Sequence, residues 1–301
     1  MTPDRPFLGI LLMLAFCVLA PLGDSFAKLL GETIGLGILL LIRFGMQAMF
    51  LLPVAVWQRS GLRLPTGLIW WTLLRTALHM VGIGMMFSAL RFLPLADAVA
   101  IAFVMPFVML LLGHFVMHET VGPHRITACA VGFAGTLMVV QPNFVEVGAP
   151  ALLPLGVAVV FALFMMVTRK IARQVDPIRL QTISGLQACL LLTPVLILWP
   201  STAEGFHQGL PGNVWLLLLG LGVIGTVAHL FMTWSLRFAP ASTLAPMQYL
   251  EIPFGTVIGW LIFSDLPNGL AAIGICITVL AGLYIIARER RLATHRTNPV
   301  A

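Results

Sequence analysis

Charged side chains are scarce in this sequence. The 301 residues include 17 lysines and arginines and 11 aspartates and glutamates, so 9% of the chain is charged while 59% is hydrophobic. A soluble domain normally has about 25% charged residues. Together with a mean hydropathy of +1.02, this composition excludes a protein that is mainly exposed to water and indicates a chain embedded in a membrane.

Signatures of catalysis and metal binding are also missing from the sequence. It contains no HExxH, GxSxG or CxxC motif and no acidic metal cluster. The four cysteines all fall within apolar stretches, which argues against a disulfide framework. We therefore expect no enzyme, no cofactor and no bound metal. The alternative from a different class of protein is an intramembrane enzyme that acts on lipids.

Apolar stretches fill most of the chain. Each is long enough to cross a hydrocarbon layer of about 30 Å, which takes roughly 20 residues of helix. The sequence therefore predicts an all-α integral membrane protein with ten transmembrane helices. The predicted spans are 7–28, 34–56, 68–90, 95–117, 124–141, 152–169, 179–199, 213–236, 241–263 and 268–287.

One sequence pattern occurs twice. Ser-Ala-Leu-Arg-Phe-Leu-Pro at 88–94 and Trp-Ser-Leu-Arg-Phe-Ala-Pro at 234–240 each open an apolar span with a central proline, Pro106 in one and Pro253 in the other. Each half then holds five spans, and an odd number places the second half in the membrane upside down. We expect two inverted five-helix repeats and a cytoplasmic tail. Their predicted bounds are 1–146, 147–290 and 291–301.

Basic residues indicate the orientation, because lysine and arginine concentrate in cytoplasmic loops. With the N-terminus in the cytoplasm, Lys28 and Arg91 fall outside, and both termini lie inside. The basic loops then contact anionic headgroups, so no nucleic-acid partner is expected. Cleavage of the first span as a signal peptide would leave nine spans and unequal halves, so we expect it to be retained. The basic residues placed inside are Arg5, Arg59, Arg63, Arg125, Arg169, Lys170, Arg173, Arg179, Arg237, Arg288, Arg290, Arg291 and Arg296.

This arrangement resembles the EamA-type carriers of the drug/metabolite transporter superfamily. The resemblance rests on Leu-Arg-Phe-x-Pro before the fourth and ninth spans, on Arg43-Phe44 in the second, and on Glu119 and Gly135 around the fifth. Asp265 occupies the position equivalent to Glu119, and we expect both to cap the helix that follows. In its length and low charge, the chain most resembles YddG-like amino-acid exporters. This implies a secondary transporter in the bacterial inner membrane that exports neutral, chiefly aromatic, amino acids and related metabolites by alternating access.

Inverted repeats predict a substrate site near the midplane, between the halves. Polar groups deep in spans are costly unless they meet a partner or water. His79 and His229 lie in equivalent spans, one helical turn out of register, and Glu251 lies in a polar cluster between prolines. Bonding to backbone carbonyls or to other helices explains these groups as well. We predict that the substrate contacts His79, Met86, Phe103, Phe164, His229, Gln248, Tyr249 and Glu251.

Prolines and end-of-span charges predict the moving parts. Pro106, Pro246 and Pro253 each remove a backbone hydrogen bond and permit a bend, so we predict hinges there. Proline is also simply commoner in membrane helices. Asp24 and Lys28 close the outer end of the first span and are predicted to form an extracellular gate, for which an interfacial salt bridge is an equally good explanation.

Two cations lie well inside spans, Arg43 and Arg75. We interpret both as structural, with Arg75 reaching the cytoplasmic surface along its own stem. An organic-anion or sugar-phosphate antiporter would need several cations lining its cavity, and only these two are available. Export of lipophilic cations needs a carboxylate inside the membrane, and Glu251 keeps this alternative open. The expected partners are a small-molecule substrate and the lipid bilayer. A monomer and a homodimer both remain possible.

Overall fold

The computed structural model describes residues 5–58, 64–108, 111–112, 123–207, 209–239, 244 and 247–297. These residues form α-helices joined by short connections, and no strand occurs among them. The predicted all-α class is confirmed. The helices are α1 (Pro6–Leu30), α2 (Leu36–Trp57), α3 (Ile69–Ala89), α4 (Leu95–Ala102), α5 (Pro123–Val147), α6 (Leu153–Ala172), α7 (Pro177–Leu198), α8 (Gly212–Phe238), α9 (Glu251–Phe263) and α10 (Gly269–Thr297).

Most of these helices are long and apolar enough to cross a membrane. Among the described residues, six spans meet both criteria, within or around α1, α2, α5, α6, α7 and α8, and three shorter apolar helices lie at 95–108, 251–263 and 269–284. The remaining helix, α3, carries Thr72, Arg75, Thr76 and His79, all of them buried in the bundle. Because Arg75 and Thr76 bond to side chains on other helices, α3 can be less apolar and still span.

Local sequence fixes where several helices begin. Pro6, Pro154 and Pro177 lie in the first turns of α1, α6 and α7, where a missing N–H costs nothing. Asp176 caps α7, because its Oδ1 accepts a hydrogen bond of 3.0 Å from the N–H of Ile178. The connections between spans stay short as a result.

The two halves run in opposite directions. At one end of the bundle, the N–H of Arg5 before α1 donates to the carbonyl of Phe238 at 2.9 Å. Arg169 in the last turn of α6 donates to the carbonyl of Leu236 at this same end, whereas the last turn of α1, which contains Lys28, lies at the other end. The repeat equivalents α1 and α6 therefore point in opposite directions, as predicted. We call the two ends the Lys28 end and the Arg169 end.

Helix packing follows the same pseudo-twofold symmetry. Helix α1 packs against α8 as α3 packs against α6, while α2 packs on α7 and α5 on α10. The α5–α10 crossing is tight, because a Cβ added to Gly135 would lie 2.7 Å from the carbonyl oxygen of Gly274. Exchange of the halves maps the α1–α8 contact onto the α3–α6 contact and each of the other two contacts onto itself. The repeat bounds 1–146 and 147–290 and the tail 291–301 stay predictions.

The arginines of the repeated pattern occupy equivalent places. Nη2 of Arg91 donates to the carbonyl of Ile34 at 3.0 Å, and Nη1 of Arg237 lies 3.3 Å from Oδ2 of Asp176. In each half, the arginine at the end of the third span thus bonds to the connection between the first and second spans. This explains why the pattern recurs.

The fourth span is not continuous. Helix α4 ends at Ala102, Phe103 and Val104 form a turn, and helical structure resumes at Met105. Pro106 has no N–H to donate to the carbonyl of Ala102, so the helix ladder is interrupted there. The span predicted over 95–117 thus contains a break beside Pro106, where the sequence allows a bend, and Glu119 lies outside the described residues.

The ninth span is broken at the equivalent place. Helical residues at 247–248 are followed by a turn at Tyr249 and Leu250, and α9 begins at Glu251. Pro253 lacks the N–H that would bond to the carbonyl of Tyr249. The span predicted over 241–263 therefore contains a break beside Pro253, where the sequence allows a bend.

Asp265 has a different role from the one predicted. Asn268 supplies the hydrogen bond at the start of α10, its Oδ1 accepting from the N–H of Ala271 at 2.9 Å. Asp265 instead lies 3.2 Å from Nζ of Lys28. The prediction that Asp265 caps the following helix is wrong, since Asn268 lies one turn nearer to that helix.

Candidate functional site

A cavity lies between the halves, from mid-depth towards the Lys28 end. The cavity has a volume of about 80 Å³, so it is a narrow cleft. Aromatic and aliphatic side chains form most of its wall. The bordering residues are Phe16, Leu19, Ala20, Gly23, Asp24, Arg43, Ile83, Met86, Phe87, Val99, Ala102, Phe103, Met105, Val157, Ala158, Phe161, Leu221, Gly225, Ala228, His229, Gln248 and Glu251.

The two span breaks place functional side chains at this cleft. Gln248 precedes the turn in the ninth span and Glu251 follows it, and both border the cleft. Phe103, in the equivalent turn of the fourth span, borders it from the other half. Glu251 also opens α9, where the positive end of the helix dipole favours an acidic group. The two broken spans therefore place Phe103, Gln248 and Glu251 at the same cleft.

Arg43 is held by protein groups at the edge of the cleft. Nη1 donates to Oε1 of Gln47 at 3.0 Å, and Nη2 lies 2.5 Å from the carbonyl oxygen of Gly225 and 3.0 Å from Nδ1 of His229. The side chain is only 1% exposed. A Cβ added to Gly225 would overlap Nε of Arg43. Arg43 therefore positions His229 and is not free to hold a substrate anion, in line with its predicted structural role.

The two histidines are neighbours, but they differ in access to the cleft. The centroids of their rings lie 4.4 Å apart. His79 is fully buried, stacks on Phe164 at 4.6 Å, meets Phe44 edge-on at 5.0 Å, and has no hydrogen-bond partner for either ring nitrogen among the described residues. His229 borders the cleft, whereas His79 lies behind it. The two rings therefore lie at the same depth in the bundle.

Arg75 organises a second polar group nearer the Arg169 end. Nε donates to Thr168 at 3.0 Å, Nη1 to Ser184 at 2.7 Å, and Nη2 to Gln181 and Thr233 at 3.4 and 3.3 Å. The side chain is completely buried. The prediction that Arg75 reaches the membrane surface is wrong, because hydroxyl and amide groups from three other helices surround the guanidinium.

Two glutamines that our sequence analysis missed connect these groups. Nε2 of Gln47 donates to the backbone and side-chain oxygens of Gln181 at 2.7 and 3.1 Å, and Nε2 of Gln181 donates to the carbonyl of His229 at 2.8 Å. Gln47 lies four residues after Arg43, on the same helix face, and this spacing is the signal that could have found it. The network fills the bundle between the cleft and the Arg169 end.

The predicted substrate residues are therefore only partly assembled at the cleft. Met86, Phe103, His229, Gln248 and Glu251 border it. His79, Phe164 and Tyr249 do not, and their contact with substrate stays a prediction.

Tyr249 packs away from the cleft instead. A Cβ added to Gly282 would overlap its ring, and its hydroxyl points towards Gly132. The ring centroid lies 5.5 Å from that of Phe103. Tyr249 thus fits between α5 and α10, where glycines leave room for it.

The predicted gate and hinge residues lie at three levels. Asp24 borders the cleft, whereas Lys28 donates to the carbonyl of Leu93 at 3.0 Å and pairs with Asp265 at the end of the bundle. Pro106 is buried, while Pro253 lies in a shallow groove on the outer surface between α1 and α9. Pro246 lies outside the described residues. Gating and hinge motion stay predictions.

Comparison with known proteins identifies the family. The profile of the EamA-like transporter family matches residues 7–141 and 149–288. A riboflavin transporter of Rhizobium johnstonii is 30% identical over 83% of this chain and 80% of its own length. A riboflavin transporter of Vibrio cholerae is 26% identical over 98% of both chains. An S-adenosylmethionine uptake transporter of Rickettsia prowazekii is 24% identical over 94% of both.

The chain therefore belongs to the EamA-like transporter family, within the drug/metabolite transporter superfamily, and the resemblance found in the sequence is confirmed at this level. It is a multi-pass membrane transporter of a small molecule and not an enzyme. The narrower resemblance to YddG-like amino-acid exporters is not reflected in the relatives named above, which carry riboflavin or S-adenosylmethionine in their names.

Proposed function

We propose that this EamA-like transporter carries a neutral, flat heteroaromatic metabolite, with riboflavin as the first candidate, across the bacterial inner membrane. Two of the relatives described above are riboflavin transporters. A name alone does not give a substrate, so the proposal rests on the chemistry of the cleft.

One observation carries the proposal: the cleft offers aromatic walls and hydrogen-bond acceptors, and no described residue that borders it is a free cation. Phe16, Phe103 and Phe161 border it, and the carboxylates of Asp24 and Glu251 face it from two helices. Riboflavin combines an uncharged planar ring system with a chain of hydroxyl donors. Such a molecule fits apolar walls with a few polar anchors.

Amino-acid export, suggested by the sequence, finds less support. A zwitterion needs a cation for its carboxylate, and among the described residues Arg43 is the cation at the cleft. Its guanidinium is already bonded to Gln47 and Gly225. The same argument disfavours an organic-anion or sugar-phosphate antiporter, because an anion would meet the carboxylates of Asp24 and Glu251.

A second candidate is S-adenosylmethionine. It joins a flat adenine ring to a sulfonium cation and an ammonium group, and Asp24 and Glu251 are two carboxyl groups at one cleft. Acidic groups in so apolar a setting attract a cation. A lipophilic cation would use the same pair. These substrates differ from riboflavin in charge, which makes them separable by experiment.

The transport cycle follows from the inverted halves. The cleft is too narrow in this conformation for a three-ring system, so the halves must part to admit riboflavin. We place the bending points at the turns 103–104 and 249–250, beside Pro106 and Pro253. The Lys28–Asp265 salt bridge, which joins the halves, closes the Lys28 end.

The test uses a bacterium that can neither make riboflavin nor import it. We expect the chain, expressed in its membrane, to restore growth on limiting riboflavin, and Glu251→Leu to reduce that growth. Thr193→Ala is the matched control, because Thr193 is exposed and bonds only within its own helix. Absence of growth despite normal amounts of protein in the membrane would overturn the proposal.

A further inference from the structure

Two buried polar atoms at the cleft lack partners. Oε1 of Gln248 and Nε2 of His229 have no hydrogen-bond partner among the described residues. Gln248 is 1% exposed and His229 is 5% exposed, and both border the cleft. A buried polar atom without a partner costs free energy. A pair of them at a substrate cleft points to bonds that the substrate completes.

Arg43 decides which kind of group His229 presents. Nη2 of Arg43 carries two hydrogens and lies within bonding distance of both the Gly225 carbonyl and Nδ1 of His229. A guanidinium donates only. If one hydrogen goes to each neighbour, Nδ1 is the acceptor and the ring proton lies on Nε2. Nδ1 also lies 3.1 Å from the Gly225 carbonyl. A proton on Nδ1 that bonded there would face the Arg43 hydrogen directed at this nitrogen, and the carbonyl already accepts from Nη2. His229 therefore presents a donor, Nε2–H.

Gln248 presents the complementary group. Its Nε2 donates to the thioether sulfur of Met165 at 3.4 Å, which orients the amide. Sulfur is a weak acceptor, so this contact holds the side chain without satisfying the amide. The unpaired Oε1 is an acceptor. The cleft thus offers one fixed donor and one fixed acceptor, on α8 and on the helical segment before α9.

We infer that His229 and Gln248 recognise a lactam edge, in which a ring N–H stands beside a ring carbonyl. Gln248 Oε1 accepts from the N–H, and His229 Nε2–H donates to the carbonyl. The inference rests on the proposed function, since the pyrimidine-dione end of the riboflavin ring system has such an edge at N3–H. It assigns two specificity-determining residues, whereas Glu251 and Asp24 address the hydroxyl chain.

This pairing predicts discrimination by a single hydrogen. A substrate that cannot donate leaves Oε1 of Gln248 buried and unpaired, and sites built to bond a substrate N–H reject analogues that lack it. A methyl group on N3 of riboflavin removes the donor. An apolar pocket would tolerate this added methyl or prefer it.

The experiment compares radiolabelled riboflavin with N3-methylriboflavin in proteoliposomes that contain the full chain. We expect the wild-type protein to transport the methylated flavin about tenfold less efficiently, as for the loss of one hydrogen bond. Gln248→Leu should remove this preference, and Gln248→Glu, which keeps an acceptor oxygen, should retain it. Thr193→Ala should show the wild-type ratio.

The outcomes separate the two proposals. If the wild-type protein does not transport riboflavin at all, the proposed function fails. If it transports both flavins equally, riboflavin transport stands and the recognition of the lactam edge is overturned. The wild-type comparison needs no variant, so a Gln248 variant that does not fold leaves the test intact. An unchanged ratio in a folded Gln248→Leu protein would also overturn the inference.

Discussion

The ammonium group of Lys28 lies 3.2 Å from the carboxylate of Asp265, and this salt bridge joins the two halves of the transporter. Lys28 belongs to the first half and Asp265 to the second. Lys28 also donates to the carbonyl of Leu93, in the repeated pattern of its own half. Relative motion of the halves must break the salt bridge between Lys28 and Asp265, whereas the bond from Lys28 to Leu93 can persist.

Removal of this salt bridge should favour opening at the Lys28 end. The two side chains are 20% and 38% exposed, and a pair of this kind contributes at most about 1 kcal/mol. We therefore expect Asp265→Asn to speed labelling of a cysteine placed at buried Ser25 by about fivefold or less, in a protein whose native cysteines are replaced. The measurement uses a thiol reagent that does not cross membranes.

Glu32→Gln is the control for this experiment, because it removes an exposed acid near the same end. Lys28→Met should have a larger effect than Asp265→Asn, since it also removes the bond to Leu93. Equal labelling in the wild-type and Asp265→Asn proteins would show that the salt bridge does not close this end.

Gly225→Ala should disable the site through Arg43. The added Cβ would overlap the guanidinium, which must then leave the Gly225 carbonyl and His229. We expect a loss of transport of about tenfold or more, of the size of one bond to a charged group. The measurement is initial uptake by proteoliposomes.

Gly212→Ala is the matched control on the same helix, because no atom outside the local backbone lies within 4 Å of its added Cβ. This variant should transport normally. If Gly225→Ala transported at the same rate, the placement of Arg43 against the cleft would not matter for transport.

Arg75 should contribute to stability more than to substrate binding. Its guanidinium bonds to four side chains on three other helices and does not border the cleft. Arg75→Met leaves buried hydroxyls unpaired, and we expect the protein to lose about 2 kcal/mol of stability or more. The thermal midpoint in detergent should fall by about 5 °C.

Lys170→Met provides the comparison, because it removes an exposed cation and should shift the midpoint by less. A normal midpoint for Arg75→Met, together with weaker substrate binding, would contradict the structural role.

The two span breaks should set the turnover rate. In Pro106→Ala and Pro253→Ala, the new N–H groups can bond to the carbonyls of Ala102 and Tyr249, which stiffens the turns. Each single variant should slow exchange, and the double variant should slow it further, with substrate affinity within about twofold of wild type. The measurement is the rate of substrate exchange at saturation.

Pro53→Ala in α2 is the control, because Pro53 lies inside a continuous helix. Equal slowing by Pro53→Ala would mean that proline removal acts on the bundle as a whole and not on the two breaks.

The sequence was sufficient for the architecture, because hydropathy and the repeated pattern depend on local residues alone. It predicted the all-α class and the inverted halves. It also singled out Gln248 and Glu251, because a polar cluster inside an apolar span is rare whatever its surroundings.

It could not predict contacts that depend on how helices cross. The surroundings of Arg75 come from α6, α7 and α8, so a lone arginine near a span end was expected to reach the surface. In the sequence, Gly225 looks like a glycine that only allows helices to pack closely. Its contact with Arg43 depends on how α2 and α8 cross. Tyr249 follows Gln248 directly, yet the turn at this point directs the two side chains to different places.

Substrate counterflow in proteoliposomes tests the proposed substrate most directly. Vesicles are loaded with unlabelled riboflavin, S-adenosylmethionine, phenylalanine or tetraphenylphosphonium, and entry of the same labelled compound is followed. Riboflavin transport predicts saturable counterflow of riboflavin and none of phenylalanine. The riboflavin counterflow should fall strongly in Glu251→Leu. Counterflow of phenylalanine with none of riboflavin would contradict riboflavin transport and identify an amino-acid carrier.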